Sequence, residues 1–272
     1  MKKSTKRTLW TLLVIVIVLA AMLVGTSFYF IGYALTPAEN NPTCNPDSCR
    51  QRIASSYTGV IEWIDSLEAA NAFHNDTIAD PTTGAQLVAW RVAADKPTKK
   101  TALIIHGYND THWTMLMIGY LYHHSLGYNI LLPDQYAHGE SNGDHIRMGW
   151  LDRLAMRRWL DTAIEEFGDS AEIVVHGISM GGATTMMLSG EENLPSQVKC
   201  FVDDCGYTSV DEEFTFNLKD QFGLCRFPII PATSLLCKLM HGWSFDEASA
   251  LRQVAKCQHP MLFIHGDNDT YV

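Results

Sequence analysis

The sequence predicts an α/β fold, a mostly parallel sheet with helices on both faces, preceded by one apolar N-terminal helix. Three observations predict it. Short, continuous apolar runs occupy residues 101–106, 128–133, 171–177, 198–203 and 260–265. Such runs are the signature of strands covered on both faces, as in parallel sheets. Helix-forming stretches alternate with them, the order that builds βαβ units. Finally, the polar, chemistry-bearing residues His106, Asp134, Ser179 and His265 fall at the carboxyl ends of these runs, where open α/β sheets hold their ligands.

Taken in order, the chain opens with Lys2, Lys3, Lys6 and Arg7 (1–8 as a basic segment) and then runs without charge to residue 38. Residues 9–33 are almost wholly apolar and form a helix about 37 Å long, enough to span a bilayer with tilt. The basic flank puts the N-terminus in the cytoplasm and the body outside. The run is longer than the apolar core of a cleaved signal peptide, so an uncleaved signal-anchor is expected, with the cleaved peptide as the alternative. Pro37, Pro42 and Pro46 among Asn and Asp read as a linker over 34–52.

The spacing predicts a helix over 55–71, a strand over 84–93 and a charged turn at 95–100. A strand over 101–106 ends at Gly107, and a helix over 114–126 is stopped by Gly127. A strand over 128–133 ends at Asp134, and a long amphipathic helix over 148–167 is stopped by Gly168. Residues 211–258 are less regular and read either as a small cap over the site or as ordinary crossover helices. The domain as a whole is expected over 53–272.

The formal net charge is −10, and the basic residues concentrated before residue 8 leave the body more acidic still. That excludes nucleic acid as a partner and docking of the domain surface on anionic lipid. Seven cysteines are too few for a disulfide scaffold. Cys44 and Cys49 can close a small loop, and Cys225 and Cys237 can pair. Cys200 and Cys205, in one strand, cannot. No cysteine or histidine spacing matches a zinc site, and neither metal nor organic cofactor is implied.

The sharpest signal is Gly177-Ile178-Ser179-Met180-Gly181, which follows the strand 171–177 and precedes a helical run from Ala183. Strand, sharp turn and helix with a serine at the apex form a nucleophile elbow. The serine needs an unusual backbone to project its oxygen, and side chains at Gly177 and Gly181 would collide with the flanking elements.

Four ordered segments resemble the α/β-hydrolase superfamily: Leu103-Ile104-Ile105-His106-Gly107-Tyr108, Leu131 through Ser141 with Asp134 and His138-Gly139, the Ser179 elbow, and Leu262-Phe263-Ile264-His265-Gly266-Asp267-Asn268-Asp269. More narrowly the chain is similar to bacterial membrane-anchored cell-surface serine hydrolases, loosely called lysophospholipase- or serine-aminopeptidase-like. The resemblance implies that Ser179 is the nucleophile. It makes the backbone N–H groups of Tyr108 and Met180 the oxyanion hole and Asp269 the acid, with Asp267 as the alternative. It also implies a small-molecule or lipid-derived acyl substrate.

The superfamily order of Ser, acid, His leaves the base unassigned. All eleven histidines precede Asp269, and His106, His138, His176 and His265 read as structural. The expectation is therefore either the leading part of a longer reading frame, lacking the last strand, helix and base-bearing loop, or a non-catalytic relative. On either reading this 272-residue chain by itself is expected to be nearly inactive, and poorly soluble. The reading for the intact protein is a membrane-anchored serine hydrolase of carboxylic esters. The alternatives are an amidase or acyltransferase relative and a tethered, non-catalytic binding protein.

Overall fold

The computed structural model describes residues 3–37 and 46–269. Its strands are β1 (His74–Ala79), β2 (Gln86–Val92), β3 (Lys100–Ile105), β4 (Asn129–Pro133), β5 (Glu172–Ile178), β6 (Val198–Asp204) and β7 (Met261–Ile264). They form one sheet in the order β1-β2-β4-β3-β5-β6-β7. The β1–β2 and β2–β4 pairs are antiparallel and the other four are parallel.

Side chains alternate along each strand, so one strand feeds two cores. Leu103 and Ile105 of β3 pack with Leu131, Val175 and the apolar face of α5 (Asp152–Phe167), including Met156, Trp159 and Leu160. Ala102 and Ile104 face the other way, onto α3 (Val60–Ala69) and α4 (His112–Tyr120) through Trp63, Ile64, Met115 and Leu116. Helices therefore cover both faces, which is why the central strands read as uninterrupted apolar runs.

A third core joins α6 (Met180–Ser189), α7 (Val210–Phe222), α8 (Arg226–His241) and the inner end of α1 (Lys3–Leu35). The stretch Lys6–Leu35 of α1 is long and apolar enough to cross a membrane. It is solvent-exposed as far as residue 22, whereas Ser27, Ile31 and Leu35 are buried against the domain.

Several expectations shift. The strand β1 was not foreseen. The predicted helix over 55–71 is two helices, α2 (Pro46–Ser56) and α3, separated at Gly59, whose φ of 84° breaks the run. Thus α2 begins inside the expected linker, and its Cys49 and Ile53 are fully buried. The predicted helix over 148–167 starts only at Asp152, because Gly149 has φ 75°. The helix over 114–126 starts at His112 and ends in a wider turn, Leu121–Ser125.

Within 211–258, α7, α8 and α9 (Ala250–Val254) are all helical. Cys225 and Cys237 do not pair: both thiols are free, one at the N-cap of α8 and the other in its fourth turn, far beyond the ~7 Å a disulfide tolerates. Cys200 and Cys205 are also free. Cys44 lies outside the described residues.

Candidate active site

Ser179 stands between the last residue of β5 and the first of α6, with φ 56° and ψ −119°. That backbone is disfavoured for any side-chain-bearing residue and costs on the order of 1–3 kcal/mol. Two hydrogen bonds fix it: Ser179 N–H donates to Asp204 O at 2.8 Å, and Ala183 N–H donates to Ser179 O at 2.9 Å. The flanking glycines are sterically required. A Cβ on Gly177 would lie 1.9 Å from Gly181 O, and one on Gly181 would lie 2.1 Å from Ile105 O and 2.6 Å from His106 O. Bare backbone therefore lets β5, α6 and the end of β3 converge beneath the serine.

The residues named for the oxyanion hole sit on two sides of Ser179. Met180 N–H opens α6, where the first N–H groups lack intrahelical acceptors and the helix dipole is positive. Tyr108 follows Gly107, and a Cβ on Gly107 would lie 3.4 Å from Ser179 Cβ and 3.9 Å from its Oγ. The loop at the end of β3 therefore borders the hydroxyl. The Tyr108 phenol donates to Ala34 O of α1 at 2.9 Å.

A residue missed in the sequence holds this loop. Gln135 is fully buried; its N–H donates to His106 Nε2 at 2.9 Å and its side-chain amide donates to His106 O at 2.7 Å. Thr184 Oγ1 of α6 donates to Gln135 Oε1 at 2.9 Å. The ends of β3, β4 and the elbow helix are thus tied through one amide. Its only sequence signal was its position beside Asp134 at a strand end.

Asp269 lies beyond the carboxyl end of β7. The strand β6 separates it from the elbow, a lateral interval of about 10 Å. Asp269 N–H donates to Gly266 O at 3.0 Å, and its Oδ2 stands 3.8 Å from His265 Nε2. Asp267, the alternative acid, is exposed in the same turn.

The histidines are engaged elsewhere. His106 is buried, with Nδ1 against Gly107 O at 2.8 Å, and burial lowers its pKa. His138 is pushed down to about 4 by burial and by neighbouring His106, and its Nε2 accepts from Asn109 N–H at 3.2 Å. His112 is bonded to buried Asp134 at 2.9 Å. His176 meets the Tyr122 hydroxyl at 3.1 Å on the opposite face of the sheet. Among the described residues, no histidine is hydrogen-bonded to Ser179 Oγ.

Next to the loop that borders Ser179 a cleft of about 340 Å³ opens, lined by Tyr108, Asn109 and Met148, by Phe214, Leu218 and Phe222 of α7, and by Phe30, Tyr33 and Ala34 of α1. Its polar lining is Asn109, Asn217, Gln221, Thr233 and one carboxyl, Glu213. Burial, together with the nearby charge of Asp269, raises this carboxyl to about 7 despite a hydrogen bond from Asn217. Asp203, under the elbow, is raised to about 6 by burial. Its carboxylate explains two further glycines, since a Cβ on Gly182 or Gly206 would lie 2.4 or 2.2 Å from its Oδ1. Among the described residues no group of three or more His, Cys, Asp and Glu side chains is arranged to hold a metal ion.

Comparison with known proteins bears on the family and the fold. The model of the alpha/beta hydrolase family matches residues 102–260. An uncharacterized protein of Bacillus subtilis strain 168, YqkD, is 27% identical over 179 residues, 66% of this chain and 58% of that protein. The chain thus spans under two thirds of that relative's length. An esterase of Pyrococcus furiosus, Pf2001, superposes with a TM-score of 0.57 at 22% identity, over 76% of each chain. An alpha-beta hydrolase of Vibrio vulnificus gives 0.55 at 17% identity, over 77% of this chain and 69% of that one. At these identities the structural likenesses concern the fold.

Proposed function

The chain belongs to the alpha/beta hydrolase family, and from that membership we propose that it is a membrane-anchored serine hydrolase acting on carboxylic esters. The observation that carries the proposal is the Ser179 backbone, held at φ 56° by contacts on every side. Strain of this kind persists where surrounding structure over-determines it, and it clusters at reactive sites.

In the proposed reaction Ser179 Oγ attacks the ester carbonyl. A C–O bond forms, the hydroxyl proton passes to the departing alcohol by way of a general base, and an acyl-enzyme results. Water then attacks the acyl carbon and releases the acid. The N–H groups of Met180 and Tyr108 carry the tetrahedral oxyanion. Asp269 orients the base, with Asp267 as the alternative. The elbow serves ester and amide substrates alike, and the ester is our reading. The uncharged span of α1 after a basic flank supports an anchor with the catalytic domain outside the cell membrane.

The test uses the full-length protein in its membrane. Hydrolysis of p-nitrophenyl butyrate is expected to fall at least about a thousandfold in Ser179→Ala; undiminished turnover contradicts the proposal. A second reading, a tethered binding protein without catalysis, is favoured by one observation: no described histidine meets Ser179 Oγ. It predicts no turnover in the wild-type protein either.

A further inference from the structure

The end of α1 is built into the domain. Phe222 of α7 makes edge-to-face contacts with three α1 aromatics: Phe30 at 5.1 Å, Tyr33 at 5.3 Å and Tyr29 at 6.4 Å between ring centroids. Tyr33 Oη donates to Gln221 Oε1 at 2.8 Å, Tyr108 Oη to Ala34 O at 2.9 Å, and Ile146 N–H to Leu35 O at 2.7 Å. Ile31 and Leu35 are buried among Met148, Ile230 and Trp243. A helix serving only as a tether has no need of these contacts.

The dimensions locate this junction relative to a membrane. The stretch of α1 from Thr8 to Thr26, before the first buried residue, is about 28 Å long, close to the ~30 Å of bilayer hydrocarbon. Exposed aromatics stand at both of its ends, Trp10 on one side and Phe28, Tyr29 and Tyr33 on the other, as at membrane–water boundaries. The helix packed against α1, α8, exposes Phe227, Leu235 and Leu239 at 77%, 62% and 76%. Leu235 and Leu239 lie one turn apart on one face. An uncovered apolar surface beside the exit of a spanning helix fits the headgroup boundary of the same bilayer.

We propose that the docked end of α1 is a wall of the substrate site. Phe30, Tyr33 and Ala34, with Phe214, Leu218 and Phe222, select an extended apolar acyl chain that enters the cleft from the bilayer α1 crosses. Tyr108, which lines the cleft, directly follows the Gly107 that borders Ser179, so the proposed chain has its carbonyl set toward the serine across that loop. At about 340 Å³ it has the size of a small-ligand pocket. The inference rests on the reading of Ser179 as nucleophile and of α1 as a membrane span.

The test reconstitutes the full-length protein in phosphatidylcholine vesicles and uses two fluorophosphonates, one with a short and one with a hexadecyl chain. The ratio of long-chain to short-chain labelling rates is expected to fall at least tenfold in Ala34→Trp, which fills the cleft from α1. An unchanged ratio overturns the proposal. If Ala34→Trp does not accumulate as folded protein, Ala34→Leu is read by the same ratio with the same two outcomes.

Delivery distinguishes the source of the substrate. The hexadecyl probe incorporated in the protein's own vesicles is expected to react at least tenfold faster than the same amount in separate vesicles, and equal rates overturn entry from the bilayer. If the wild-type protein takes neither probe, it is the nucleophile reading that has failed. The cleft is then read by binding of a parinaroyl ester: tenfold weaker binding in Ala34→Trp upholds the proposal, and no binding by the wild-type protein overturns it.

Discussion

Ser179 and Asp269 leave the same edge of the sheet, two strands apart, in opposite surroundings. Beneath Ser179 there is no spare volume: Gly177 and Gly181 touch backbone, and Gln135, His106 and Thr184 close a buried hydrogen-bonded frame around the elbow. At β7 the described residues are far less covered. Leu262, Phe263 and Ile264 are 57%, 55% and 42% exposed, and a Cβ on Gly266 would meet nothing nearer than 3.9 Å. The elbow is therefore preorganised by packing, whereas the strand that leads to Asp269 is held by its ladder to β6. Positional precision at the proposed nucleophile is built into the core, and among the described residues that of the proposed acid rests on the β7 ladder to β6.

The largest expected effect breaks the packed side. Gly181→Val forces a side chain against Ile105 O and His106 O, and is expected to destabilise the fold by more than about 4 kcal/mol, enough to prevent its accumulation. Expression level and denaturant midpoint measure it. Next comes the frame behind α6. Arg147 is fully buried, donates to Asp80 and Asp152 at 2.9 and 3.0 Å, and lies over the Tyr136 ring at 3.8 Å. Burial alone would raise Asp80, but hydrogen bonds from Arg147 and Thr82 and the guanidinium charge hold it below the usual carboxylate range. Arg147→Met strands two buried carboxylates and is expected to cost about 3–5 kcal/mol, read by equilibrium unfolding at neutral pH.

Glu213 sharpens the comparison from the cleft side. Its folded pKa of about 7 stands above the ordinary 4.5 because burial disfavours the charge. A raised acid stabilises the fold while it stays protonated. That contribution is complete below about pH 4.5 and is lost as pH climbs through about 7, up to about 3 kcal/mol in all. Glu213→Gln is expected to lose less stability than the wild-type protein between pH 5 and 8, and parallel stability–pH curves would contradict this. The smallest effect lies on the open side: Gly266→Ala and Phe263→Ser are each expected to change unfolding free energy by less than about 0.5 kcal/mol. A cost above 2 kcal/mol for either would mean that the β7 edge is packed.

The parallel core was legible because its strands are buried on both faces and betray themselves as apolar runs, as at Leu103–Ile105 and Val174–Val175. The elbow was legible because sterics leave glycine alone at 177 and 181. Strand β1 was not, since His74-Asn75-Asp76-Thr77 is a polar edge whose order comes from pairing with β2. Helix α2 was hidden by its opening proline and its polar residues; its packing depends on Thr114, far along the chain. The docking of α1 was illegible for the same reason, since residues that read as membrane-facing by composition meet Phe222 and Gln221 only in the folded chain. Gln135 carried no periodic signal, and its role depends on the convergence of three elements.

The central claim is that the elbow delivers a reactive hydroxyl at Ser179. Its most direct test is to treat the full-length, membrane-held protein with a short-chain fluorophosphonate, digest it and locate the adduct by mass spectrometry. The expected result is a single phosphonylated peptide carrying the modification on Ser179, absent from Ser179→Ala. No adduct, or an adduct on another residue that survives Ser179→Ala, would contradict the claim.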